Sequence, residues 1–420
     1  MDLQQVAMKL IVKIKDVVEL AKRFETAPAE ALREVVEQAR QAVAITLEQV
    51  LETEIAIFLG QDSELHNKRN GFVTRTFAIK GLGALRLRVP RDRDSKFVSH
   101  AVAANRHYDA ALEKDLALLH LAGLSTRTLS MVSGRILGHK VSAQEVSNAL
   151  HTLVPAAKKF LERSLSGRRY MYLYIDGTNF HIRRTTVERE PVLVVIGVTE
   201  SSHKSILATV SGDKESRDSW GMVFNSLKER GLDCSSVQLG VMDGLPGLGS
   251  AFLEAFPKAR VARCWVHKAR NVFPRVAKRY QAEFKTDWDK VAYATNKSAA
   301  EQTLKEMQLR WGKICSDAME NFVTDKEALL THYDFPEEHW DALRTTNPIE
   351  RVNKEFKRRS KSMETLSPEG QKVLLAFTAV RLEHGWSMVS ITSPAMGNLR
   401  NRRAQIQMGA LEAATQTLLN

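Results

Sequence analysis

The chain has 420 residues, 44% hydrophobic and 26% charged, the make-up of a folded, water-soluble protein rather than a fibrous, disordered or membrane-embedded one. Lys and Arg number 61 against 49 Asp and Glu, and the net charge of +12 points to a polyanionic partner, nucleic acid first. Three cysteines (Cys234, Cys264, Cys315) make no disulfide framework, and the N-terminus lacks the unbroken apolar core of a signal peptide, so a cytoplasmic setting is expected.

Residues 1 to about 60 read as helix, with Val35, Val36, Ala39, Val43, Leu47 and Leu51 near one face and a stop at Gly60. Phe72–Phe77 and Leu85–Val89 read as strands with Gly81 and Gly83 in the turn and Arg86 and Arg88 outward. From 108 to 151 the pattern is helical again. STRTLSMVSGRIL and SAQEVSNALHTL, joined by GHKV, fit a helix-turn-helix with Ser125 and Ser142 as N-caps, and fit a helical hairpin in a plain bundle equally well.

The texture changes at 168. MYLYIDGTNF reads as a short β-rich run ending at Asp176, and PVLVVIGVTE and SILATVSG as a strand pair. The run at 191–198 is the longest apolar stretch and is too short to span a bilayer. SRDSWGMVFNSLKERGL is an amphipathic helix with a glycine stop. SVQLGVMDG is a buried-type strand ending at Asp243, LGSAFLEAF a helix, and ARVARCWVH a further strand. The order β-β-β-α-β-α-β predicts an α/β core, a mixed sheet flanked by helices with the layout of the ribonuclease H fold. Residues 269 to about 341 are nearly all helical and read as an insertion. A helix then starts near Pro348 with Asn347 as its cap, another follows from 366, and the tail NLRNRRAQIQ carries three arginines.

A carboxylate at the end of an apolar strand is exposed while its backbone is held rigid, which suits a metal ligand. Asp176 and Asp243 both stand so, although Asp-Gly at a strand end is also a common turn. Glu350 is the third acid. It heads the run LRTTNPIERVNKEFKRRSK, whose basic residues are Arg344, Arg351, Lys354, Lys357, Arg358, Arg359 and Lys361. Arg351, Lys354, Arg358 and Lys361 recur at helical spacing and share a face. A salt bridge would account for Glu350 alone; a metal at Glu350 with DNA phosphates on its neighbours accounts for the whole run. Cys264-Trp-Val-His267 is half of a zinc spacing without the other half. His267 either reaches a phosphate near the carboxylates or caps the strand end, and Trp265 belongs to the core.

The motifs IDGT around Asp176, VMDGLPGL around Asp243, RCWVHKARNV at 263–272 and TTNPIERVNKEFKRRSK around Glu350, in this order, resemble the Mutator-type transposases of bacterial insertion sequences, a DDE family. RNGFVTRTF and LRLRVPRDRD are similar to that family as well. The resemblance spans nearly the whole chain. It implies a ribonuclease H-like core with an α-helical insertion, mainly helical N-terminal domains that bind terminal inverted repeats, and catalysis with two Mg2+ or Mn2+ ions held by Asp176, Asp243 and Glu350. The reaction implied is strand cleavage followed by attack of the freed 3′-OH on a second phosphodiester. The basic run and His267, Lys268 and Arg270 are the expected DNA contacts, and the Cys264/His267 motif carries no assigned role. The expected partner is double-stranded DNA, both element ends and target, bound by a homodimer in the nucleoid, with no membrane. Alternatives are a ribonuclease H-like nuclease or resolvase that cuts without joining, and an inactive DNA-binding relative.

The corresponding organisation is an N-terminal helical region with a hairpin at 1–105 and a helix-turn-helix segment at 106–165. The first part of the catalytic core follows at 166–268, the insertion at 269–343, the glutamate helix at 344–365 and a C-terminal helical region at 366–420.

Overall fold

A computed structural model describes residues 14–61, 67–103, 107–136, 140–183, 187–211, 216–361 and 367–387. The start of the expected N-terminal helix and the arginine-rich tail lie outside these residues. The chain divides into two compact units between Ala149 and Leu150.

The first unit opens with α1 (Ile14–Thr26) and α2 (Pro28–Gln61), the latter starting on a proline, which suits the first helical position. A hairpin follows, β1 (Arg69–Ile79) and β2 (Gly83–Asp92), in antiparallel register with Ile79 opposite Gly83. Gly81 and Gly83 take the positive φ angles, 83° and 82°, that the turn requires. Leu85, Leu87 and Val89 point inward against Leu51 and Phe77, with Val43 and Leu47 alongside, while Arg86 and Arg88 face solvent as expected. The predicted apolar stripe of α2 is buried only at its C-terminal end; Val36 is 40% exposed. At 34 residues, about 50 Å by the helical rise, α2 outruns a hairpin of about 35 Å. Three further helices, α3 (Ala110–Leu121), α4 (Thr126–Ile136) and α5 (Ala143–His151), share a core of Leu112, Leu116, Leu129 and Val146. Ser125 accepts from Thr128 N at 3.1 Å. Ser142 and Glu145 satisfy each other's amides in a capping box.

The second unit begins with α6 (Val154–Leu161) and is built on a five-stranded sheet in the order β5-β4-β3-β6-β7. The strands are β3 (Tyr170–Arg183), β4 (Val187–Thr199), β5 (Lys204–Ser211), β6 (Leu239–Met242) and β7 (Arg260–Arg263). The first three form antiparallel pairs, and β3-β6 and β6-β7 run parallel. Helices α7 (Arg217–Glu229) and α8 (Pro246–Ala255) make the crossovers into β6 and β7. The chain order β-β-β-α-β-α-β is therefore the one expected, and the fold is a mixed sheet flanked by helices.

Each sheet face has its own task. Leu173, Ile175, Leu193 and Val195 bury against Trp220, Phe224 and Phe252 of the crossover helices. Tyr172, Tyr174, Asp176 and Thr178, on the opposite face by strand alternation, point toward the later helices. From Trp265 to Leu343 the described chain is helical: α9 (Trp265–Val272), α10 (Gln281–Ala292), α11 (Lys297–Trp311), α12 (Ser316–Thr324), α13 (Lys326–Leu330) and α14 (Trp340–Leu343), with 3-10 turns between them. They bury Trp265, Phe284, Trp288, Trp311 and Phe322 in a separate aromatic core. Two long helices close the unit, α15 (Asn347–Ser360) and α16 (Pro368–Ser387).

Three local expectations are corrected. Asp176 does not end its strand; β3 continues to Arg183 because it forms a long hairpin with β4. The last strand stops at Arg263, so Cys264 to His267 lie at the start of α9 and not within a strand. Asn347 is the first helical residue of α15, and Thr346 stands at the cap; its amide and hydroxyl both donate to Cys264 Sγ at 3.4 Å.

Candidate functional site

Asp176 and Asp243 are brought together by the parallel pairing of β3 with β6. The last paired residues are Ile175 and Met242, and each aspartate is the next residue along. Asp176 is 8% exposed. Asp243 accepts from the Gly244 amide at 2.6 Å. Gly244 serves contact rather than turn geometry, since a Cβ there would fall 1.1 Å from the Arg263 guanidinium.

Glu350 approaches from the other side of the chain. Tyr174 OH donates to Ala342 O at 3.0 Å, and Asn353 Nδ2 donates to Thr178 Oγ1. Tyr174 and Thr178 stand two residues before and after Asp176 on one strand face. The segment from 342 to 353, with Glu350 inside it, is thus tied to β3 on both sides of Asp176. Ile349, Val352 and Phe356 bury the inner face of α15. The junction before α15 is fixed independently by Cys264, which accepts from Thr346, and by Trp265 N, which donates to Arg344 O at 2.9 Å.

The three acids do not yet form a closed cluster. Among the described residues, no three Asp, Glu, His or Cys side chains are gathered closely enough to hold a metal ion. Glu350 instead pairs with Arg270 of α9 at 2.8 Å. That is the salt-bridge alternative weighed from sequence, but its partner comes from the RCWVHKARNV motif and not from the neighbouring basic run.

His267 senses both aspartates. The Cys264 sulfur raises its pKa to about 9 against the opposing effect of burial, and the charges of Asp176 and Asp243 add to the rise. Burial pushes the Cys264 thiol up, but bonding from His267 and Thr346 outweighs it and leaves the pKa below the ordinary value. Cys264 and His267 thus favour each other's charged forms beside two carboxylates.

The expected DNA-contact residues fall into two groups. Arg351, Lys354, Lys357, Arg358 and Lys361 are exposed along the outer face of α15 and its C-cap, and Arg270 is exposed on α9. Arg358 pairs with Glu355 at 3.3 Å. Arg344, Lys268 and Arg359 are buried instead. Arg344 pairs with Asp341 at 2.8 Å and lies over the Tyr293 ring, Lys268 pairs with Asp325, and Arg359 pairs with Glu355. Helical spacing put Arg359 on the inner side with Val352 and Phe356. Asn353 and Thr178, which dock α15 on β3, were not singled out from sequence. Asn353 was discoverable as a polar residue on the otherwise apolar stripe of Ile349, Val352 and Phe356.

Comparison with known proteins identifies relatives of this chain. A model of the family "Transposase, Mutator family" matches residues 15–387. A transposase for insertion sequence element IS905 of Lactococcus lactis is 31% identical over 77% of this chain and 83% of its own length. The transposase for ISRM5 of Rhizobium meliloti is 30% identical over 76% and 81%. The transposase for IS256 in transposon Tn4001 of Staphylococcus aureus is 28% identical over 70% and 75%. The chain belongs to the Mutator family of transposases.

Proposed function

We propose that this transposase cuts DNA at the ends of an insertion sequence and joins the freed 3′-OH to a target strand, using Asp176, Asp243 and Glu350 as metal-holding carboxylates on a ribonuclease H-like core. The observation that carries the reading is the double tie of the Glu350 segment to β3, at Tyr174 and Thr178, on either side of Asp176. Asp243 is supplied from the neighbouring strand at the adjacent register position.

The donor set fits hard divalent ions. It consists of carboxylate oxygens, and two of the three already converge enough to act together on His267. Glu350 would complete the set once its ion pair with Arg270 opened. When bound, two Mg2+ or Mn2+ ions would activate the attacking oxygen and stabilise the leaving one. The protein's own contribution is placement. The sheet holds the aspartates, the Thr178–Asn353 tie sets the height of Glu350, and the exposed cations of α15 hold the phosphate backbone near them. Arg270, released from Glu350, is left free to meet the substrate's negative charge. The helices at 126–151 serve as a helix-turn-helix on terminal inverted repeats, and two copies of the chain bring two ends together. No helix among the described residues is long and apolar enough to cross a membrane.

The test is strand cleavage and joining on a labelled duplex carrying the element's own ends, with Mg2+ or EDTA, for the wild type and Glu350→Gln. Metal-dependent cut and joined products, both lost in Glu350→Gln, are expected. Cleavage without joining would identify a nuclease or resolvase. Binding without cleavage under any metal would leave a DNA-binding relative.

A further inference from the structure

Beside the carboxylates, a cavity of about 370 Å3 lies between the β4–β5 turn, the first turn of α15 and the end of α16. Lys204, Arg351, Thr345, Asn347, Asp341 and Trp386 are among its walls. Its charges are unbalanced. Asp341 is 89% exposed and already paired with Arg344. Neither Lys204 nor Arg351 has a carboxylate partner among the described residues. Burial lowers the Lys204 pKa, and the Arg351 charge lowers it further. Lys204 is half-buried, and the exposed Arg351 stands near enough to repel it, a repulsion that an anion between the two would relieve.

Three more features suit an oxyanion. Asn347 and Pro348, the first two residues of the 14-residue α15, line the recess, so the positive end of the helix borders it. The Thr345 hydroxyl on its wall is buried without a hydrogen-bond partner. The Trp386 indole gives a flat apolar side against which a sugar or base can lie. A larger neighbouring cavity of about 760 Å3, which Lys204 also lines, has two carboxylates, Glu200 and Glu383, in its walls. There Arg169 pairs with Glu200 at 3.4 Å, and Glu383 pairs with Arg163 at 2.6 Å.

We propose that the recess between Lys204 and Arg351 is a binding site for one phosphate group of a nucleotide, next to but separate from the three carboxylates. The proposal rests on the DNA-handling reading above and adds Lys204, on the β4–β5 side, to the surface that holds the substrate. The same phosphate chemistry is offered by a DNA backbone and by a free nucleotide or phosphate ion.

The test is competitive amine labelling with acetic anhydride at pH 8, read at Lys204 and at the exposed Lys354 by peptide mass spectrometry. The full chain is labelled alone, with inorganic phosphate, with thymidine monophosphate, and with a generic 30-base-pair duplex whose binding is followed separately by gel shift. At least fivefold protection of Lys204 by duplex alone assigns the site to the DNA backbone. The same protection by phosphate or the mononucleotide assigns it to a free ligand. Duplex that shifts the protein in the gel while Lys204 labels at its unliganded rate in every arm overturns the site and leaves the DNA reading intact. Absence of any gel shift counts against the DNA reading, while the phosphate and mononucleotide arms still decide the site. Lys204→Gln, shown to melt like the wild type, should lower the slope of log affinity against log salt by about 1 if a backbone phosphate sits there; an unchanged slope refutes the backbone assignment.

Discussion

At the scale of single residues, two kinds of polar group behave differently. Asp176 and Asp243 are placed by backbone register, one residue beyond the last pair of β3 and β6. Asp176→Asn and Asp243→Asn should therefore fold and bind DNA within about twofold of wild type while losing cleavage entirely, because binding rests on other surfaces. Residual metal-dependent cleavage in either variant, measured on a labelled duplex, would remove that aspartate from the site. His332 is the opposite case. It lies 1% exposed in the helical region, its Nδ1 donating to Leu329 O at 2.8 Å, and burial drives its pKa down to about 4. The unfolded imidazole titrates near 6.5, so between those values the unfolded chain binds a proton that the folded chain refuses. Stability is then fully present above pH 6.5 and falls as the pH drops toward 4, by up to about 3 kcal/mol. Melting curves at pH 7.5 and 5 should separate for wild type and draw together for His332→Gln. Equal separation in both would place the acid sensitivity elsewhere.

At the scale of elements, α15 decides the site, and it is held by contacts that a charge pattern does not show. Its predicted basic face is exposed at Arg351, Lys354, Arg358 and Lys361, since residues at helical spacing must share a side, and Lys357 is exposed as well. Arg359 is not on that face. It turns inward, and its guanidinium meets Glu355, which also takes Arg358 and Arg381. Glu355→Ala should lower the urea unfolding free energy by about 2–4 kcal/mol by leaving the 1% exposed Arg359 without this carboxylate. Pairing it with Arg359→Met should restore most of the loss, and no restoration would mean that Glu355 acts through its exposed neighbours. Asn353→Ala should cost about 1–2 kcal/mol and reduce cleavage by about 10- to 100-fold with DNA affinity unchanged, since it loosens the helix that carries Glu350 without touching phosphate. Cleavage at the wild-type rate would show that the Cys264 and Tyr174 anchors suffice. The chain order of strands and helices and the N-terminal hairpin were legible because they rest on local periodicity and turn chemistry. The run of β3 past Asp176, the helical start at Trp265 and the Arg270–Glu350 pair were not, because each is decided by a partner distant in the chain.

At the scale of the whole molecule, the net charge of +12 is less informative than where the cations are free. Lys268, Arg344 and Arg359 are buried against acids, and Arg358 shares Glu355, so charge counting overstates the surface offered to DNA. Exposed cations on one helix face release counterions together when a duplex lies along it, and each phosphate neutralised adds about 0.9 to the slope of log affinity against log salt. Lys354 and Lys361 are exposed and outside the carboxylate site. Replacing both by Ser should lower that slope by about 2, weaken binding by a similar factor on element ends and on unrelated duplex, and leave the melting temperature within about 2 °C. The parallel substitution Arg344→Lys, at a buried guanidinium stacked on Tyr293, should do the reverse, lowering the melting temperature with the slope unchanged. Salt titrations of both variants against one duplex decide between the two accounts. A slope that falls for Arg344→Lys and holds for the double serine variant would mean that DNA reaches the protein by another face.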